Sequence, residues 1–206
     1  MIYLVNFPFC NFHSIQRYFL TRKLDFTVLD PRTFLNPSDI VVLPGVGTFR
    51  EGSTYLNQTG LFNSIKHHAD SGGFLLGICL GMQLLLSSSD ESPGVDGLNI
   101  FTGSCSLLPS THSFRVPHIG WNSLIPIKPH QLISGHLADP KCSSDFYFVH
   151  SYYCKPTDSS SVIASFHHPS GDIPAIIAQS NTYGLQFHPE KSGNAGYKLL
   201  DNIFLS

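Results

Sequence analysis

The stretch Gly73-Phe74-Leu75-Leu76-Gly77-Ile78-Cys79-Leu80-Gly81-Met82-Gln83 decides how this chain folds. Gly73–Ile78 is a short apolar run, set off by Ser71-Gly72, and reads as a buried strand. Leu80 to about Leu86 reads as a helix, and Cys79 stands at the junction. Between a buried strand and a helix, glycines two residues to either side let the chain turn sharply without a Cβ clash, and they hold the residue between them in a strained conformation. A cysteine just before a helix N-terminus gains a depressed pKa from the amides and the dipole, which favours the thiolate. The N–H of Leu80 then points where an oxyanion would form. A buried structural cysteine in a glycine-rich turn is the competing reading, and the elbow alone does not decide between the two.

The deciding residues lie far downstream. Gln186-Phe187-His188-Pro189-Glu190 follows an apolar strand. A cysteine nucleophile needs a base, and the base needs a group to orient it. His188 is placed to be that base. Glu190 is placed to accept from the other imidazole nitrogen and fix the tautomer. Any one of 11 histidines means little alone, but His-Pro-Glu at a strand end is an uncommon arrangement.

Working outward, the first half alternates strand and helix signals. Strands are expected at Ile2–Asn6, Phe26–Leu29 and Asp39–Leu43, and helices at His13–Arg22 and Thr54–Ala69. This alternation implies a parallel sheet. The second half breaks into short strand-like segments: Ile100–Leu108, Ser113–Pro117, Asn122–Ile127, Asp145–Tyr153, Val162–Phe166, Ile173–Gln179 and Thr182–Phe187. Ser87–Ser89, Ser159–Ser161 and Pro126–Pro140 read as loops, and Ala195–Phe204 as a closing helix. The expected fold is a single α/β domain over residues 1–206. A mixed, mainly parallel central sheet is flanked by helices, and a smaller antiparallel region comes from roughly residues 100–185. Ligands in such sheets sit beyond the strand C-termini.

Composition removes other classes. A chain of 206 residues suits one sizeable core. With 42% hydrophobic and 13% charged residues it is globular, and its sparse charge hints at a surface covered by a partner. Net charge is −2 and Lys and Arg do not cluster, so no nucleic-acid footprint is present. No apolar run is long enough for a membrane span, and Met1–Phe9 reads as a first strand, not a signal peptide. Five irregularly spaced cysteines without a C-x-x-C pair suit a reducing cytoplasm better than a disulfide scaffold. Cys10, Cys105, Cys142 and Cys154 read as structural. His167-His168 and His130 with His136 lack defensible ligand geometry, so no metal is expected. No Gly-x-x-x-x-Gly-Lys phosphate loop occurs, and no cofactor is implied.

Gly77–Gln83 and Gln186–Lys191 together resemble the class I, triad-type glutamine amidotransferases. Within that class, Leu43–Gly47, Val116–Asn122, Tyr147–Tyr152 and Lys191–Gly193 with the last helix are similar to the glutaminase subunit of imidazole glycerol phosphate synthase. The resemblance implies that Cys79 attacks the carboxamide carbon of L-glutamine, that His188 protonates the leaving ammonia and then activates water, and that Glu190 holds His188. It implies a second oxyanion donor near Val46 and Gly47 beside the N–H of Leu80. It also implies that Gln83, Ser151 and Tyr152 line the substrate pocket, the last two through their backbone. Asn11, Trp121 and Lys191 match positions that face the partner, a (β/α)8-barrel cyclase subunit that would receive the ammonia. A core position for Trp121, the only tryptophan, stays open at this point.

One departure stands out. The family opens with Asp-Tyr-Gly-x-Gly-Asn after its first strand, and here the same place reads Asn6-Phe7-Pro8-Phe9-Cys10-Asn11, with both glycines gone. Pro and Phe cannot take the conformations that glycine permits. This keeps a second reading alive: a paralogous glutaminase that supplies ammonia for sugar amination or amidination in surface-polysaccharide or nonulosonate synthesis. A silent regulatory partner and a stand-alone thiol hydrolase acting on γ-glutamyl compounds are further alternatives. The intact Cys, His and Glu speak against the first, and the partner-facing residues against the second.

Overall fold

The structure is a computed structural model and describes residues 1–10, 12–112, 114–133 and 145–205. The first half runs β1 (Ile2–Leu4), α1 (His13–Arg22), β2 (Phe26–Val28), β3 (Ile40–Leu43), α2 (Phe49–Thr59), α3 (Leu61–Asp70), β4 (Phe74–Ile78) and α4 (Leu80–Leu84). The second half runs β5 (Leu86–Ser89), β6 (Phe101–Leu107), β7 (His118–Pro126), β8 (Asp145–His150), β9 (Tyr152–Pro156), β10 (Val162–Phe166), β11 (Ile173–Gln179), β12 (Thr182–Leu185) and α5 (Gly193–Phe204). Nine strands form one sheet in the order β2-β1-β3-β4-β12-β11-β10-β7-β8, and β5-β6-β9 form a small second sheet. From β2 to β12 every pairing in the large sheet is parallel, and from β12 to β8 every pairing is antiparallel. The chain is thus a single α/β domain with a mixed sheet. Most of the antiparallel strands extend that sheet instead of standing apart from it.

The apolar runs explain the layering. Strands buried on both faces read as continuous Val, Ile and Leu. In β3, Val42 joins the core under α1 and α5, while Val41 and Leu43 join the core under α2 and α3. In β4, Leu76 and Ile78 take the first side and Leu75 the second. Helix α1 carries Ile15, Tyr18 and Phe19 at helical spacing, all buried.

Several elements differ from expectation. The helix expected over Thr54–Ala69 is two helices and begins earlier. Thr48 and Glu51 close a capping box, with the Thr48 Oγ1 accepting from the Glu51 N–H and the Glu51 carboxylate accepting from the Thr48 N–H. Such a cap contributes about 1 kcal/mol. Gly60, at φ 77, ends α2 in a left-handed turn that suits glycine. The helix after Cys79 stops at Leu84, and Ser87–Ser89, expected as a loop, belong to β5. Ser88 and Ser89 pair with Ser104 and Cys105 on β6, so distant pairing overrides the weak strand propensity of serine. The strand expected over Asp145–Tyr153 is two strands. It breaks at Ser151 because Val149 pairs with Ile119 in the large sheet while Tyr152 pairs with Leu107 in the small one.

No strand covers residues 114–117. Thr111 and Phe114 close a tight loop through their backbones, and β7 begins at His118, earlier than expected, because His118–Ser123 pair with β8. Ser113, His136, Cys142 and residues 134–140 of the expected loop lie outside the described residues. Among the described residues, no helix is long and apolar enough to cross a membrane.

Candidate active site

Three neighbouring parallel strands, β3, β4 and β12, end side by side. They lead into Pro44–Gly47, Cys79 and Gln186–His188 respectively. Sheet order therefore joins segments that are more than a hundred residues apart in sequence. The junction is fastened by the Cys79 N–H, which donates to the Leu185 carbonyl at 2.7 Å.

Cys79 sits at φ 53, ψ −104, a conformation that L-residues rarely adopt. Such a residue costs about 1–3 kcal/mol and persists only where its surroundings fix it. Its Sγ lies 3.7 Å from the Val149 carbonyl oxygen and 3.9 Å from Gln186 Nε2. His188 is 2% exposed and its Nδ1 lies 2.7 Å from Glu190 Oε1. The carboxylate accepts, so Nδ1 carries the proton and Nε2 is the nitrogen left to meet the thiol. Nε2 is buried with no hydrogen bond of regular geometry to a described residue, but the Cys79 sulfur acts on it. Burial opposes protonation of His188, yet Cys79 and then Glu190 outweigh it and push the imidazole pKa up to about 10. The loop is pinned as well: the His188 N–H donates to the Tyr147 carbonyl at 2.8 Å, and the Ser192 hydroxyl donates to the His188 carbonyl at 2.6 Å.

That raised value can be tested through stability. A group whose folded pKa exceeds its unfolded value stabilises the fold fully below the unfolded value, about 6.5 for histidine, and loses the effect as pH rises through the folded value. The unfolding free-energy difference between the wild type and His188→Gln should therefore be largest below about pH 6.5 and shrink as pH rises through about 10. Urea melts at several pH values check this. A difference that does not change with pH would show that no charged imidazole is held there.

A cavity of about 240 Å³ opens beside Cys79. Val46, Gly47, Leu80, Gln83, Ser151 and Tyr152 all line it with Cys79. Its walls also include Glu91, Pro117, Val149 and His150, which the sequence did not single out. Glu91 lies in a Ser- and Gly-rich loop and accepts from the Phe49 N–H at the start of α2 at 2.7 Å. Nothing in its spacing ties it to Cys79. Pro117 lay within the Val116–Asn122 segment and Val149 and His150 within the Tyr147–Tyr152 segment, and all three could have been found there. His188 and Glu190 do not line the cavity. A larger groove of about 730 Å³ runs between α2, α3 and residues 94–99, but neither cysteine nor histidine lines it.

One expectation needs correction. The Leu80 N–H is not free for an oxyanion, because it donates to the Gly45 carbonyl at 3.2 Å. The carbonyls of Ser151 and Tyr152 are also engaged. Ser151 O accepts from the Leu108 N–H at 2.8 Å, and Tyr152 O accepts from Gln83 Nε2 at 2.9 Å. The altered first loop lies against the Pro44–Gly47 loop. The Phe7 and Phe9 rings stack at 5.4 Å, Phe9 rests on Gly47, and the Cys10 thiol, raised by burial, approaches the Val46 backbone. Trp121 is not a core residue: it is 59% exposed and meets Tyr147 edge-on at 5.8 Å. Lys191 is exposed, and Asn11 lies outside the described residues. Cys105 and Cys154 are fully buried, 3.7 Å apart across β6 and β9, with burial first among the causes that hold the Cys154 thiol well above its usual range. Among the described residues, no three His, Cys, Asp or Glu side chains gather as a metal set.

The fold and site describe an α/β protein with a cysteine on a strand–helix elbow and a buried His–Glu pair beside it. The glutamine amidotransferase class-I family model matches residues 4–206, and the chain belongs to that family. Among curated proteins it is 40% identical to imidazole glycerol phosphate synthase subunit HisH of Methanothermobacter thermautotrophicus, over 98% of this chain and 97% of that one. It is 37% identical to the HisH subunit of Halalkalibacterium halodurans, over 98% and 94%. Among solved structures it is similar to PurLQS from Thermotoga maritima, with TM-score 0.74 and 17% identity over 99% of this chain and 97% of that one. A crystal structure of a glutamine amidotransferase gives TM-score 0.71 at 14% identity over 98% of each chain. Membership and relatives make this chain a glutamine amidotransferase with glutaminase chemistry.

Proposed function

We propose that this chain is the glutaminase subunit of an imidazole glycerol phosphate synthase, hydrolysing L-glutamine and passing the ammonia to a barrel-type cyclase partner. The observation that carries the chemistry is the meeting of Cys79, His188 and Glu190 at the ends of β4 and β12. Cys79 Sγ attacks the carboxamide carbon of glutamine. His188 Nε2 delivers its proton to the departing nitrogen, and a thioester and ammonia result. Water, deprotonated by His188, then attacks the thioester and releases glutamate and the thiol. Glu190 holds Nδ1–H throughout, so that Nε2 always faces the chemistry. Cavity size and lining suit a single amino acid: Glu91 offers a carboxylate to an α-ammonium and Gln83 a carboxamide.

The pathway assignment is supported by full-length relatives that carry the synthase-subunit name. Trp121 and Lys191 supply an exposed aromatic and a cation for the partner surface. The Gly45 carbonyl on the Leu80 N–H leaves the oxyanion site closed. The chain alone is therefore expected to release glutamate slowly, and a bound cyclase with its nucleotide ligand to raise the rate by about two orders of magnitude, which is the worth of one oxyanion donor. Glutamate release, measured with and without that cyclase, tests this. Stimulation only by another barrel paralogue would move the assignment to sugar amination, the reading that the altered Asn6–Asn11 loop favours.

A further inference from the structure

Behind Gln83 and Tyr152 the chain buries two histidines that the proposed reaction leaves unused. His118 opens β7, His150 closes β8, and the two are partners in register. His150 Nδ1 lies 2.9 Å from the Tyr152 carbonyl oxygen, and His150 Nε2 lies 3.2 Å from His118 Nδ1. A carbonyl only accepts, so His150 Nδ1 carries a hydrogen and donates it. Burial, with the neighbouring histidines adding to it, keeps both rings neutral, pushing the pKa of His150 down to about 3 and that of His118 to about 4. A neutral ring with its hydrogen on Nδ1 has a bare Nε2, so His118 Nδ1 must be the donor to His150. The bonds run one way, from His118 to His150 to the Tyr152 carbonyl. There they meet Gln83 Nε2, which donates to the same oxygen at 2.9 Å.

Both lone pairs of the Tyr152 carbonyl are then filled. The Gln83 carboxamide is committed through its nitrogen, which leaves Oε1 as the acceptor for a ligand. The His118 ring is itself fixed, between Phe114 at 4.7 Å, Phe148 at 5.0 Å and Phe166 at 5.1 Å. Gln83, Tyr152 and His150 all line the cavity beside Cys79. We propose that His118 and His150 are positioning residues for the substrate: a one-way hydrogen-bond relay that fixes the Tyr152 carbonyl and, through it, which end of the Gln83 carboxamide meets glutamine. The proposal rests on the glutaminase reading.

The test separates substrate recognition from the nucleophile. Cys79 is alkylated either by 6-diazo-5-oxo-norleucine, which carries the amino-acid end of glutamine, or by iodoacetamide, which does not. In His118→Phe and His150→Phe the glutamine-like reagent should react about tenfold or more slowly, while iodoacetamide stays within about twofold. His150→Asn, which keeps a donor for the Tyr152 carbonyl, should recover most of the rate. Equal slowing of both reagents, slowing of neither, or an Asn variant no better than the Phe variant overturns the relay. With the cyclase and its nucleotide ligand bound, a wild type that iodoacetamide labels at Cys79 but the glutamine analogue does not would overturn the glutaminase reading itself, and the relay with it. Should a Phe variant fail to fold, nitrogen-15 spectra of the wild type decide. Nδ1–H tautomers on both rings are expected, and an Nε2–H tautomer on His150 overturns the proposal.

Discussion

Cys79→Ala should lower glutamate release from glutamine by at least about 10³-fold. The size reflects what is lost. Without Sγ no thioester forms, and the remaining groups can only polarise a bound amide that water must then attack unaided. Alanine keeps the Cβ and meets φ 53 with the same strain as cysteine, but it gives up the sulfur's long contacts to Val149 and Gln186 and its influence on His188. The same variant changes its neighbour. The Cys79 sulfur is the strongest influence that raises the His188 pKa, ahead of Glu190. Its removal lets burial pull that pKa downward, which imidazole chemical shifts across pH can track. Residues that act as a unit are not additive. The double variant Cys79→Ala with His188→Gln should therefore be no slower than Cys79→Ala alone. Activity within tenfold of the wild type in Cys79→Ala would remove the thioester route altogether.

The elbow and the His-Pro-Glu run were legible because their chemistry is local. Glycine spacing about Cys79 and the two-residue step from His188 to Glu190 fix geometry within a few bonds, and the structure shows both. Helix α1 was legible to the residue, since Ile15, Tyr18 and Phe19 repeat at helical spacing and a left-handed cap at Lys23 ends it. The errors fall where distant pairing or one side chain decides. Ser87–Ser89 form a strand only because β6 lies alongside. Asp145–Tyr153 breaks at Ser151 only because two sheets compete for its ends. Glu91 reaches the cavity through its bond to the start of α2, which no local pattern announces. The engagement of the Leu80 N–H was not legible either. The orientation of one peptide, with Gly45 O on the Leu80 N–H, is a choice the backbone makes among conformations that the same residues permit.

Gly81→Ala should destabilise the fold by about 3 kcal/mol and slow Cys79 alkylation by the glutamine analogue as well. Gly81 sits in the first turn of α4, where a Cβ would stand 1.9 Å from the Leu43 carbonyl oxygen and 2.9 Å from the Leu43 Cβ. Those atoms belong to the backbone and root of β3, which is paired to β1 on one side and β4 on the other, so they cannot swing aside like a side-chain tip. Either α4 lifts away from the sheet or β3 moves. In both cases Leu80 and the Pro44–Gly47 loop, which share the hydrogen bond from Leu80 N–H to Gly45 O, part company beside Cys79. Gly77 supports the same argument, because its Cβ would meet the Gly81 carbonyl at 2.6 Å, so the two glycines of the elbow pack backbone on backbone. Gly60→Ala is the control: open space surrounds that site, and only its φ of 77 resists a side chain. That variant should cost about 1 kcal/mol and leave alkylation unchanged. Equal denaturation midpoints for the two variants would mean that the elbow glycines serve turn conformation alone, and that helix and strand have room to separate without disturbing the nucleophile.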